Sequence, residues 1–103
     1  KSNYSQINLK IDMDNSIKEI DKKWLLNNNK LTRKFEFKNF VLTFDFMTEI
    51  AKIAEEIKHH PSWTNTYNKL EITLWTHDQG GLTELDFKLA KRIDSLYSEF
   101  SKS

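Results

Sequence analysis

The apolar positions along this chain change their spacing several times, and each change marks an element. Ile17, Ile20 and Trp24 recur at helical intervals, with Ser16 and Glu19 at capping-box spacing. The pattern predicts a helix over about 16–26. The Asn27-Asn28-Asn29 run ends it, because asparagine tolerates turns and left-handed geometry. Leu31 to Phe37 alternates, with Phe35 and Phe37 on one face and Arg33, Lys34, Glu36 and Lys38 in polar positions. Phe40, Leu42 and Phe44 line one face of a second expected strand, joined to the first by Lys38-Asn39 as a two-residue turn. Asp45 then reads as the N-cap of a helix over about 46–58, whose Phe46, Ile50, Ile53 and Ile57 form one apolar stripe. Pro61 disfavours helical geometry at His60, so this helix should stop before it.

Tyr67 to Thr76 predicts a further strand, with Leu70, Ile72 and Leu74 on one side and Glu71, Thr73 and Trp75 on the other. A short piece near Trp63–Thr66 is its expected partner. Thr83 and Asp86 repeat the capping-box spacing before a last helix over about 84–101, striped by Leu89, Ile93, Leu96 and Phe100. Upstream, Ile7, Leu9 and Ile11 alternate, which fits a short extended piece or a loosely held arm. We therefore expect an arm over 1–15 and a single domain over 16–103. Strands joined by tight turns are antiparallel. Three amphipathic helices, each with one apolar face, should cover one side of the sheet, an α+β arrangement.

Composition narrows the function. At 103 residues there is room for one core. The absence of cysteine excludes thiol catalysis, disulfide frameworks and iron–sulfur clusters, and it fits a reducing compartment. Sixteen basic and fifteen acidic residues are closely interspersed, without the basic stripe that neutralises phosphates. No apolar run is long enough for a membrane span. The expected location is cytoplasmic. A nuclear or organellar location stays open because the chain begins at Lys1 and a segment before it would be lost to view.

The candidate chemistry is concentrated in Glu55–Asp86. This stretch holds all three histidines (His59, His60 and His77), the only proline, both glycines and two of the three tryptophans. Imidazoles titrate near neutrality, so three at the ends of rigid elements suit proton transfer. Glu55 precedes His59 by four residues and should share its helical face. Its bland alternative is a solvated surface glutamate. Zinc is a competing reading of three histidines, but His59 and His60 are adjacent and no His-x-His or His-x-x-x-His spacing exists. Trp63, Tyr67 and Trp75 offer flat faces for a ligand or simple packing. Asp86 completes the cap with Thr83, or orients His77 or His59 by accepting a ring N–H; both roles can hold together.

The segments AEEIKHHPSW (54–63), YNKLEITLWTH (67–77) and GGLTELD (80–86) resemble the pterin-4a-carbinolamine dehydratase family. Trp24 and the segment Lys34–Ala51 resemble the family's hairpin and second helix, so the likeness spans about residues 16–101. The resemblance implies a four-stranded antiparallel sheet with three helices packed on one face, and assembly as a homodimer or homotetramer. It implies dehydration of a 4a-hydroxy-tetrahydropterin to quinonoid dihydropterin, in recycling of the pterin cofactor of aromatic amino-acid hydroxylases. No cofactor and no metal are implied. The catalytic candidates are then His59, His60 and His77, with His59 and His77 as acid and base and His60 mainly orienting substrate. The substrate-binding candidates are Glu55, Lys58, Pro61, Trp63, Trp75, Thr76, Asp78 and Asp86. The alternative is a non-enzymatic dimerisation or coactivator-type binding module on the same scaffold. Nucleic-acid binding by the sheet is a poor third, given the balanced charge and the lack of paired RNA-stacking aromatics.

Overall fold

A computed structural model describes residues 15–101; the expected arm and its Ile7/Leu9/Ile11 alternation lie outside the described residues. A helical turn, α1, occupies residues 15–19. Strand β1 (Leu25–Asn27) and strand β2 (Lys30–Glu36) follow, then helix α2 (Phe40–Ile57), strands β3 (Ser62–Thr66) and β4 (Lys69–Leu74), a 3-10 turn (His77–Gln79) and helix α3 (Glu84–Ser101). The four strands form one antiparallel sheet in the order β1-β2-β4-β3.

One face of the sheet is apolar and carries the helices. Leu31 and Phe35 of β2 and Leu70, Ile72 and Leu74 of β4 meet Phe46 and Ile50 of α2 and Phe87, Leu89, Ala90 and Ile93 of α3 in a single buried cluster. The period-2 pattern of β4 and the stripes of α2 and α3 are therefore core-facing, as their spacing requires. The opposite face presents Thr32, Lys34, Glu36, Lys69, Glu71 and Thr73 to solvent, fully or in part. Its register sets Lys34 opposite Glu71 and Glu36 opposite Lys69.

The first two expected boundaries are corrected. The helix expected over 16–26 ends at residue 19, and Leu25–Asn27 is an edge strand. Asn28 (φ 54°) and Asn29 (φ 60°) both take left-handed geometry, and Asn27 pairs with Lys30. Two such residues between paired strands make the tight turn whose twist suits a hairpin. The hairpin is thus β1–β2, not β2 with Phe40–Phe44. That segment is instead the first turn of α2, and Asn39, not Asp45, is its N-cap. The Asn39 side chain accepts from the Leu42 N–H at 2.9 Å. Apolar residues at 40, 42, 44 and 46 satisfy period 2, but 42, 46 and 50 also satisfy a helical stripe. The helix wins because it buries Thr43, Phe46, Ile50 and Ala54 together.

A polar tie crosses the core's edge. Arg33 is 4% exposed, and its guanidinium donates to Asp94 Oδ1 of α3 at 2.6 Å. The Trp24 indole N–H and the Asp21 backbone N–H donate to the same carboxylate at 2.7 and 2.9 Å. The Arg33 guanidinium also lies over the rings of Phe35 and Tyr97. One carboxylate thus fastens the segment after α1 and the sheet to α3. Removing one partner of a buried pair leaves the other charge uncompensated. We therefore expect Asp94→Ala to lower unfolding free energy by about 3 kcal/mol in urea titrations.

Candidate functional site

The site begins where α2 ends. Lys58 follows Ile57 in left-handed geometry (φ 61°), and the His59 N–H reaches back to Ala54 O at 3.0 Å. This closure turns the chain out of the helix axis. His59 consequently leaves the face of Glu55, so the expected Glu55–His59 stacking does not form. Glu55 Oε2 instead meets His60 Nε2 at 2.5 Å, an exposed pair.

His59 crosses to α3. Its Nε2 lies 2.5 Å from Asp86 Oδ1, and its side chain is 10% exposed. Asp86 is fully buried. Its Oδ2 accepts from the Thr83 backbone N–H at 2.9 Å and from the Thr76 hydroxyl at 2.8 Å. Thr76 spends its one hydrogen on Asp86, so the Thr83 hydroxyl, 2.8 Å away, donates to Thr76 Oγ1. Thr83 Oγ1 also accepts from the Leu85 N–H at 3.3 Å. The capping box is therefore real, and its acidic member holds His59 as well. An ionised carboxylate only accepts, so the hydrogen between it and the ring sits on His59 Nε2; in the neutral ring the lone pair is then on Nδ1.

The third histidine arrives from the sheet. β4 ends at Leu74, and Thr76 bridges to Gly81 around the His77–Gln79 turn, which closes through Gly80 at φ 68°. Trp75 packs against His77 with ring centroids 4.4 Å apart and the ring planes tilted by 45°. The Lys30 ammonium lies 4.2 Å from the centre of the Trp75 ring.

These pieces enclose a cleft of ≈ 390 Å³ lined by Lys58, His59, His60, Pro61, Ser62, Trp75, Thr76, His77 and Asp78. All three imidazoles face it, together with five of the eight residues expected to bind substrate. The other three do not line it. Glu55 touches it only through His60. Asp86 lies behind His59 and Thr76. Trp63 pairs with Ile72 on β4 and packs against the core. Tyr67 also falls outside, since it caps the β3–β4 hairpin at the far end from Ser62. Sequence reasoning missed Ser62, which follows Pro61 directly, and Lys30, which nothing in its own neighbourhood marks. Among the described residues no cluster of three or more histidine, aspartate or glutamate side chains is placed to hold a metal ion. No described helix is long and apolar enough to cross a membrane.

A small α+β domain with three histidines lining one cleft at the exits of a helix and a strand defines the class of fold and site. Within that class the chain belongs to the pterin 4 alpha carbinolamine dehydratase family, whose model matches residues 9–96. It is 48% identical over 86 residues to a protein of Chelativorans sp. (strain BNC1) named as a candidate pterin-4-alpha-carbinolamine dehydratase, covering 82% of this chain and 87% of that one. A like-named protein of Prochlorococcus marinus (strain NATL2A) is 48% identical over 73 residues, covering 71% and 77%. Among solved structures, the transcriptional coactivator/pterin dehydratase from Brucella melitensis superposes with a TM-score of 0.77 at 38% identity, covering 82% of this chain and 90% of that chain. A pterin dehydratase-like protein described as a RuBisCO assembly factor in the alpha-carboxysome gives 0.61 at 25% identity, covering 72% and 88%.

Asparagine at position 86 keeps an acceptor for Thr83 and Thr76 but presents an N–H₂ to His59. In Asp86→Asn we expect the His59 ring hydrogen to move from Nε2 to Nδ1, read from imidazole ¹⁵N shifts, with a stability loss of about 1–3 kcal/mol.

Proposed function

We propose that this chain removes water from a 4a-hydroxy-tetrahydropterin to give quinonoid dihydropterin, by general acid–base catalysis from imidazoles. The observation that carries this reading is the convergence of His59, His60 and His77 on one cleft, with His59 held by a buried carboxylate. The balance of the reaction is simple. The N5 hydrogen leaves as a proton, C4a–N5 becomes a double bond, and the hydroxyl on C4a departs with an added proton as water.

His59 supplies the base. With Nε2–H given to Asp86, its Nδ1 lone pair takes the N5 proton, and the carboxylate stabilises the imidazolium that forms. His77 supplies the acid. It is exposed, so after protonating the hydroxyl it regains a proton from solvent. His60, paired with Glu55, orients the ring and offers polar contacts to its amide–amine edge. Trp75 backs His77 at the cleft's edge, and Thr76 and Asp78 border its polar rim. Turnover thus needs only proton movement between groups of this chain and water.

A second reading has its own support. Phe40, Val41 and Phe44 are exposed on the first turns of α2, and the two phenylalanine rings lie 5.8 Å apart. Such a patch fits self-assembly into a dimer or tetramer, or a partner's helix, as in a coactivator-type module. It sits about 25 Å from His59 along α2, at 1.5 Å per residue. The two roles therefore do not compete for surface. Light scattering reads the assembly directly.

Added to freshly generated 4a-hydroxy-tetrahydropterin, the protein should accelerate quinonoid formation followed by absorbance. His59→Ala and His77→Ala should each cut kcat at least ~10-fold. Glu55→Gln should act mainly on KM. No acceleration by the native protein would leave the binding-module reading in place.

A further inference from the structure

His59 and His60 are each held by a carboxylate, whereas His77 has no hydrogen-bond partner for its ring among the described residues. Its ring packs instead against Trp75, tilted by 45° with centroids 4.4 Å apart. Trp75 is itself half-buried at the sheet's end, and its outer contact is Lys30. The sheet register explains the pairing. Leu31 lies opposite Leu74 on the core face, so one step further Lys30 faces Trp75 on the open face. The same parity carries on to His77.

A second contact joins the same two segments. Gly81, which closes the His77 turn by bridging to Thr76, packs against Asn29. A Cβ placed on Gly81 would lie 3.4 Å from the Asn29 Cβ. Asn29 and Lys30 are consecutive, in the left-handed turn of the β1–β2 hairpin and just after it. The hairpin tip therefore braces the His77 turn at two points, through the turn's backbone and through the indole.

On the proposed reading of His77 as the acid, we infer that Lys30 is a positioning residue for it, acting through Trp75. The ammonium over the indole face fixes the ring plane, and that plane sets the His77 rotamer toward the cleft. Lys30 does not line the cleft and touches no reacting atom. Its effect falls on the rate of proton donation and not on substrate affinity.

Lys30→Met keeps the aliphatic stem and removes the charge. It should lower kcat about two- to fivefold, the scale of an exposed cation–π contact, with KM nearly unchanged. Lys30→Arg should restore kcat, because a guanidinium also stacks on indole. In a His77→Ala background Lys30→Met should have no further effect. A loss of equal factor in both backgrounds, or failure of arginine to rescue, overturns the inference. A readout free of turnover accompanies these. With three histidines in the chain, imidazole proton resonances are separable. Lys30→Met should move those of His77, which sit in the indole's ring current, and leave those of His59 and His60 in place. Unmoved His77 resonances also overturn it. Native-like turnover in His77→Ala would instead remove the acid assignment, while the resonance test would still report the brace.

Discussion

A carboxylate with no exposure to water must find its partners inside the protein, and Asp86 takes them from three separate places. The Thr83 N–H belongs to the cap of α3, the Thr76 hydroxyl to the exit of β4, and the His59 ring to the exit of α2. An unpartnered acceptor at that depth costs the full desolvation of the group. The three segments are therefore held in one arrangement, and the cleft exists only in that arrangement. Structural and chemical demands coincide here. The interaction that starts α3 is also the one that decides which nitrogen of His59 carries hydrogen.

Asp94, eight residues further along α3, repeats the device on a different load. Eight residues are about 2.2 helical turns, so the two carboxylates leave the helix on neighbouring sectors about 80° apart. Asp94 collects Arg33 from β2, the indole of Trp24 and the backbone of Asp21. Its partners brace the first part of the chain, where β1 is only three residues long and both of its leucines are exposed. A short edge strand adds little burial of its own, so a charge-assisted tie to α3 supplies what packing does not. Helix α3 thus carries the site at its N-terminal end and the sheet's weak edge at its middle. The apolar stripe between them sets their spacing.

How far these features were legible in the sequence depended on whether their signal was local. The stripes of α2 and α3 and the alternation of β4 depend on spacing within one element, and each was read with its faces correct. Thr83 and Asp86 announce a cap by their spacing, and the three histidines lie within one short stretch of sequence. Failures came where two periodicities overlapped or where a partner was distant. Phe40, Leu42, Phe44 and Phe46 satisfied a strand and a helix alike, and only the burial of Thr43 and Ala54 separates the two. Glu55 was assigned to His59 by helical spacing, but that spacing has no meaning beyond Ile57, where Lys58 turns left-handed. Lys30 was invisible because its contact with Trp75, forty-five residues on, depends on the β2–β4 register.

The contrast between His59 and His77 bears on how one side-chain type can serve the two opposite roles proposed for them. A dehydration that moves a proton off one atom and puts a proton on another needs an acceptor and a donor in the same cleft. Two imidazoles in equivalent surroundings would have nothing to distinguish them. Here the surroundings differ in kind. His59 is nearly buried against an accepting carboxylate, which reserves its hydrogen and leaves a lone pair. His77 is exposed and packed on an indole, which accepts no strong hydrogen bond in the ring plane and leaves both nitrogens open to substrate and water. On the proposed mechanism, the division of labour is set by what each ring rests on and follows from topology. The helix exit can reach the buried cap of α3, whereas the strand exit, on the open face of the sheet, can reach only the aromatic side chain two residues before it.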